Sequence, residues 1–150
     1  MRHVALFIAV LVSFVLQTRV RIFGVPPELT VIVVYYIGVT GGAAKGILLG
    51  SLIGIVEDSI SGGIIGPNLL GKGMVGFFSS VMAGGLFRWT PLLGLLIISS
   101  LTVLDGFVVF FSRMFYSSLS VPPHRVFLTV VIQGLINALA GIFIKPEHAD

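Results

Sequence analysis

A stripe of small residues at four-residue spacing constrains this chain more than any other feature. It consists of six glycines and one carboxylate, namely Gly42, Gly46, Gly50, Gly54, Asp58, Gly62 and Gly66. Residues four apart lie on one face of a helix, so the stripe predicts a helix face almost without side chains. Each glycine costs a helix in water about 1 kcal/mol relative to alanine, whereas in a membrane such a stripe lets two helix backbones approach closely. We therefore predict that the first four glycines form a helix-packing face or a groove for a partner. The alternative is that glycine, at 19 of 150 residues, is simply abundant.

The composition is that of an integral membrane protein. The mean hydropathy is +1.11, 56% of the residues are apolar and 10% are charged. We interpret residues 1–150 as a single polytopic domain in contact with a lipid bilayer. The absence of cysteine excludes disulfides and thiol chemistry. The net charge of +3 comes from scattered Lys and Arg, without the basic cluster that nucleic-acid binding requires.

Six apolar segments follow one another along the chain. They are Val4 to Val20, Leu29 to Thr40, Ala43 to Ile60, Gly73 to Phe87, Leu92 to Ser112, and Val126 to Ile144. We predict an all-α integral membrane protein with six transmembrane helices in one bundle, five helices being the alternative. The second segment, about 12 residues or roughly 18 Å long, is shorter than a hydrocarbon core of about 30 Å. We expect it to be tilted, extended through Gly41 and Gly42, or partly re-entrant.

The first segment has the basic start of a signal peptide but not its end. Arg2 and His3 precede it, and Gln17, Thr18 and Arg19 follow in place of a small-x-small cleavage site. We expect it to be retained as the first helix.

The basic residues do not orient the bundle. With six spans, the face that holds both termini carries Arg2, Lys45, Arg88 and Lys145, and the opposite face, with the longest connections, carries Arg19, Arg21, Lys72, Arg113 and Arg125. Four against five gives no direction by the positive-inside rule, and we interpret these residues as anchors at the membrane interface.

Residues 66–73, GPNLLGKG, match the first part of the phosphate-binding Walker A pattern. Gly73 replaces the Ser or Thr that binds magnesium, and the segment follows a predicted membrane helix instead of a strand. We therefore predict no nucleotide site and interpret Lys72 as an anchor at the start of the fourth helix.

A set of polar residues lies inside the apolar segments or near their ends. Its members are Glu57, Asp58, Asp105, Gln133 and Asn137. Ionisable groups in a membrane usually face the bundle interior, where they pair or line a cavity. We predict a candidate polar pocket between the third, fifth and sixth helices. The alternative is that these side chains form hydrogen bonds that hold the helices together, which we favour for Gln133 and Asn137.

The sequence offers no catalytic or metal-binding constellation. Its histidines, His3, His124 and His148, lie near segment ends or in tails, and no His, Asp and Glu cluster has the spacing of metal ligands. We predict a non-enzymatic protein without a cofactor or metal.

The segment from Gly50 to Phe77 resembles the rod shape-determining protein MreD family. Asp58, with Gly54, Gly62 and Gly66, is similar to the family's G-x-x-x-D-x-x-x-G-x-x-x-G core. Glu57 departs from the family pattern, which commonly shows a single Asp here.

The similarity extends to both sides of this core. Pro27, Leu29, Tyr35 and Tyr36 resemble the family's second segment, and Asp105 lies in a sequence that looks like its late acidic helix.

The resemblance implies a multi-pass protein of the cell inner (cytoplasmic) membrane with a cytoplasmic N-terminus. It implies a bundle similar to the substrate-binding subunits of energy-coupling-factor transporters. It also implies that the chain binds the transmembrane helix of MreC and helps to regulate peptidoglycan synthesis and rod cell shape. In this elongation machinery, or elongasome, MreB and the peptidoglycan synthases are indirect partners. The oligomeric state is left open, with a homodimer as one alternative.

A small-molecule-binding membrane subunit of a vitamin-type transporter is the alternative function. The predicted polar pocket would then hold the ligand. Ala5 and Ala9 form a small-xxx-small pair in the first helix, like the pairs by which such subunits dock to a transporter core.

Overall fold

The computed structural model describes residues 2–84, 90–116 and 122–144, and within these ranges the chain forms six α-helices. The helices are α1 (Arg2–Arg19), α2 (Leu29–Gly41), α3 (Ala43–Ile60), α4 (Pro67–Ala83), α5 (Pro91–Tyr116) and α6 (Pro123–Gly141). The predicted all-α fold is confirmed for the described residues, with one helix for each apolar segment.

The described helix boundaries lie within four residues of the predicted apolar segments, except at the start of α4. The bounds of α3 are those predicted, and α2 is a short helix of 13 residues. It ends at Gly41, and the next residue, Gly42, has a φ of 82° and separates it from α3. The fourth helix begins at Pro67 and not at Gly73, because the fixed φ of proline suits the first helical position. The predicted end of this segment, Phe87, lies outside the described residues.

The central helices are α2, which contacts all five others, and α4, which contacts α2, α3 and α5. The most extensive contacts join the sequence neighbours α3 with α4 and α5 with α6. The apolar core lies between α2, α4 and α5, around the buried side chains of Val34, Tyr35, Val75 and Ile98. The first helix contacts mainly α2 and is the least attached of the six.

Three glycines of the stripe form the packing face between α3 and α4. A side chain at Gly46 would collide with the backbone of Gly76, one at Gly50 with the carbonyl of Lys72, and one at Gly54 with the carbonyl of Asn68. The helix-packing interpretation is therefore the one that the structure shows for these positions. No room for a partner helix is left at these three positions, since α4 of the same chain already occupies the face.

The stripe does not continue as one helix face. Gly42 ends α2, while Gly62 and Gly66 lie in the connection between α3 and α4, and all three have positive φ values of 82°, 66° and 151°. Their four-residue spacing therefore reflects turns that favour glycine and not helix packing. This corrects the interpretation of Gly42 as part of the packing face.

The distribution of side chains is the inverse of that in a water-soluble protein. At most 1% of the surface is exposed in the charged residues Asp58, Lys72 and Asp105. Large apolar side chains such as Phe7 and Leu48 are exposed instead. Two described helices, α5 and α6, are long and apolar enough to cross a membrane. These features indicate membrane association.

Candidate functional site

A buried lysine on α4 contacts three carboxylates from other parts of the chain. Lys72 Nζ lies 2.7 Å from Glu57 Oε2, 3.0 Å from Asp105 Oδ2 and 3.6 Å from Glu28 Oε2. The lysine side chain is completely buried, while Glu57 is 14% and Glu28 26% exposed. We call these four residues the Lys72 network.

The early start of α4 explains why Lys72 is buried. Because the helix begins at Pro67, Lys72 lies more than one turn inside it, where it meets Glu57 near the end of α3 and Asp105 in α5. A lysine is tolerated in such a place only when carboxylates pair with it. The prediction that Lys72 is an interface anchor is therefore wrong.

Neighbouring hydroxyl and amide groups extend the Lys72 network to α1 and α2. Thr30 Oγ1 donates a hydrogen bond of 2.7 Å to Glu57 Oε1. Gln17 Nε2 lies within 3.3 to 3.4 Å of Glu28 Oε2, Thr30 Oγ1 and Glu57 Oε1. Gln17 thus ties the end of α1 to the network through long hydrogen bonds.

The sixth helix joins through its two amides. Asn137 Nδ2 donates to the carbonyl oxygen of Glu28 at 2.7 Å and to Thr102 Oγ1 at 3.2 Å. Gln133 Nε2 donates to the carbonyl oxygen of Pro26 at 3.0 Å. The hydrogen-bonding interpretation of Gln133 and Asn137 is thus what the structure shows. With α6 included, side chains from all six helices meet in one polar layer at the level of the Lys72 network.

Asp58 does not belong to this layer, although it is next to Glu57 in sequence. Its Oδ2 accepts hydrogen bonds from the backbone N–H groups of Gly66 at 2.8 Å and Leu69 at 3.2 Å. Its Oδ1 accepts from the N–H and the side-chain amide of Asn68 at 3.2 and 2.8 Å. Asp58 therefore caps the start of α4, where the helix dipole favours a negative charge.

The predicted polar pocket is consequently divided into two structures. Glu57, Asp105 and Asn137 meet in the polar layer, whereas Asp58 is a helix cap and Gln133 holds the connection before α2. Sequence reasoning missed Glu28 and misassigned Lys72. The available signal was the sign of the charge: a lysine early in an apolar helix is the natural partner for carboxylates within the bundle.

A separate apolar groove lies between α1, α2 and Ile144, which follows the end of α6. It has a volume of about 340 Å³ and is lined by Ala5, Leu6, Ala9, Ile32, Val33, Tyr36 and Ile144. The small side chains of Ala5 and Ala9 leave the space, because they follow one another on the same face of α1. The groove is open to the surroundings of the bundle and offers apolar contact.

Metal chemistry finds no support in the described part of the chain. No group of three or more His, Asp or Glu side chains there is arranged to hold a metal ion. The chemistry that the site offers is ion pairing and hydrogen bonding inside the bundle, together with apolar contact at the groove.

Comparisons with protein-family models, with curated proteins and with solved structures found no match to this chain.

Proposed function

We propose that all six helices cross the cytoplasmic membrane, with both termini on the cytoplasmic side. The inverted distribution of side chains supports this arrangement, because an apolar outer surface around buried charges suits a lipid environment. The helices that are short for a span, α2 above all, pack against longer neighbours that would shield their ends. The orientation rests on the resemblance to the MreD family.

We further propose that the protein is a non-enzymatic subunit of the cell-elongation machinery that binds the transmembrane helix of MreC. Through this contact it would help to regulate peptidoglycan synthesis and rod shape. The motif residues that carry the resemblance have a coherent physical role here, since Gly54 and Asp58 fix α3 to the start of α4. The motif thus stabilises the packing of α3 against α4. We place partner binding on another surface.

The observation that carries this proposal is the apolar groove beside α1. Its small-residue wall, Ala5 and Ala9, is of the kind that lets a second membrane helix approach closely. The helix that forms this wall is also the least attached of the six, so a partner helix can be accommodated there at low cost to the rest of the bundle. We place the MreC helix in this groove.

Co-expression of this chain with MreC of the same organism, followed by purification in mild detergent, tests the proposal. We expect a stable complex of defined stoichiometry. Failure of the folded, monodisperse chain to retain MreC would refute the proposed function.

A matched pair of variants tests the groove itself. Ala9→Trp fills the groove, whereas Leu11→Trp adds a similar ring on the exposed, opposite side of α1. We expect the first variant to lose MreC and the second to retain it. Equal retention by both would show that MreC binds elsewhere on the bundle.

The alternative function, a small-molecule-binding transport subunit, has less support from the geometry. A ligand pocket needs polar groups that are free to bind the ligand, yet Asp58, Gln133 and Asn137 form hydrogen bonds within the chain. A co-purifying small molecule, detected by mass spectrometry of the purified protein, would favour this alternative.

A further inference from the structure

The charges of the Lys72 network do not balance. One ammonium group faces three carboxyl groups, on Glu28, Glu57 and Asp105, and each has an oxygen within 3.6 Å of Lys72 Nζ. With every group ionised, the network would carry two uncompensated negative charges inside the bundle. A buried carboxylate without compensation takes up a proton, because desolvation penalises its charged form. The surroundings of the three carboxyl groups indicate which of them takes up the proton.

Glu57 has the environment of an anion. Its Oε2 makes the shortest contact to Lys72, at 2.7 Å, and its Oε1 accepts the 2.7 Å hydrogen bond from Thr30. The amide of Gln17 approaches the same Oε1 at 3.4 Å. Oε1 thus accepts hydrogen bonds, while Oε2, which has no hydrogen-bond partner among the described residues, lies in ion-pair contact with the ammonium group. Both kinds of contact favour the charged form.

Glu28 differs from the other two carboxyl groups in its exposure. It lies before the first turn of α2, its side chain is 26% exposed, and its contact to Lys72 is the longest of the three. Water can reach this carboxylate and solvate it, so protein groups are not its only source of stabilisation.

Asp105 has neither form of compensation. It is 1% exposed, and Lys72 contacts only its Oδ2, at 3.0 Å. Its Oδ1 has no hydrogen-bond partner among the described residues and lies against Gly71, with a methyl group of Val109 nearby. An unpartnered oxygen in such a position is far less costly on a neutral carboxyl group than on an anion.

We propose that Asp105 is a proton-binding site, occupied in the folded protein, so that Lys72 and Glu57 form the ion pair and Asp105 is a neutral acid. The charged groups near it are Lys72 on α4, Glu57 and Asp58 on α3, and Glu28 before α2. The sixth helix contributes the uncharged Asn137, through Thr102. Lys72 donates to Oδ2, which leaves Oδ1 as the position of the bound proton.

The bound proton makes the bundle sensitive to alkaline conditions. Loss of the proton adds a negative charge to a network that already holds Glu28 and Glu57, so the folded state is destabilised as the pH rises. Asp105→Asn replaces the neutral acid by a neutral amide of the same shape. This variant should therefore be stable at neutral pH and lose less stability than the wild type at alkaline pH.

Infrared spectroscopy of the full chain in lipid vesicles tests the proposal directly. We expect a carbonyl stretching band of a protonated carboxyl group at neutral pH. The band should move to lower frequency when the protein is labelled with carboxyl-¹³C aspartate and stay in place with labelled glutamate. It should be lost in Asp105→Asn and retained in Asp58→Asn, which changes an aspartate that four donors already satisfy.

Three results would overturn the proposal. The folded wild type shows no such band, the band moves only with labelled glutamate, or the band persists in Asp105→Asn. If Asp105→Asn fails to fold, the isotope experiment on the wild-type protein still decides between aspartate and glutamate.

Discussion

Two helix interfaces of this protein are built in opposite ways. Between α3 and α4 the backbones touch at Gly46, Gly50 and Gly54, the Lys72–Glu57 ion pair crosses the contact, and Asp58 caps the second helix from the first. Between α1 and α2 the contact is made by apolar side chains beside an open groove, with long hydrogen bonds from Gln17 at one end. The chain is thus most tightly joined in the middle of its sequence and least at its first helix.

The difference separates what holds the bundle together from what remains available to a partner. Backbone contact tolerates no added atom, so α3 and α4 form a fixed unit. Apolar side-chain contact around a groove can be rearranged, because lipid, α1 and a partner helix offer similar surroundings. We expect perturbations at the first interface to affect folding, and those at the second to affect binding.

The largest effect should come from Lys72→Met. It removes the shared cation of Glu57 and Asp105 in a buried site, and breaking such a pair costs about 3–5 kcal/mol. Lys45→Met, at an exposed position of α3, is the control and should change the stability by less than about 0.5 kcal/mol. Chemical unfolding in mild detergent measures both, and equal stability of the two variants would contradict a structural role for the ion pair.

Replacement of Asp58 should have the next largest effect. Asp58→Leu removes both acceptor oxygens from three buried or partly buried backbone N–H groups at the start of α4, which we expect to cost about 3 kcal/mol. Asp58→Asn keeps one acceptor oxygen and should cost less than half of this. Thermal unfolding compares the two variants. Equal losses in both would show that the negative charge matters more than the hydrogen bonds.

The addition of one methyl group at a glycine tests how closely α3 and α4 pack. Gly54→Ala places a Cβ against the carbonyl of Asn68, so α3 and α4 must separate, at a cost of about 1–3 kcal/mol. Gly63→Ala adds the same atom in the connection, where the nearest atom is Ser61 Oγ at 3.8 Å, and should be nearly neutral. Melting temperatures that fall equally would mean that the backbone contact is not as close as described.

The smallest effect belongs to the second interface. Gln17→Leu removes the long hydrogen bonds from α1 and should lower the global stability by only about 0.5 kcal/mol. Amide hydrogen exchange should nevertheless increase in α1 and remain unchanged in α3 and α4, because α1 opens locally. Uniform acceleration across the bundle would show that α1 is as firmly joined as the central helices.

Local sequence patterns predict much of this fold, because the bounds and the packing face of a helix depend largely on its own residues. The bounds of α3 follow from its apolar run and its glycine ends, and the small-residue face of Gly46, Gly50 and Gly54 follows from spacing alone. The start of α4 did not follow from the apolar pattern, since it depends on Pro67 at the first helical position and on Asp58, which holds the turn before the helix.

The arrangement of the site depends on distant partners, and spacing does not identify these. Glu57 and Asp58 are adjacent in sequence yet face different elements, one towards Lys72 and the other towards the start of α4. Glu28 joins the Lys72 network only because α2 begins at the level where α3 ends. A sequence gives the angle between two side chains on one helix, but not which neighbouring helix each of them meets.

The Lys72–Glu57 contact also bears on how such a chain enters a membrane during its synthesis. Both charges of this pair belong to consecutive helices, so α3 and α4 can neutralise each other as a hairpin before Asp105 has been synthesised. Asp58, bound to the start of α4, likewise finds its compensation within the same hairpin. In the six-span arrangement that we propose, α3 and α4 thus pair their charges with each other before they enter the bilayer. The strongly apolar α5 then follows with a single carboxyl group to accommodate.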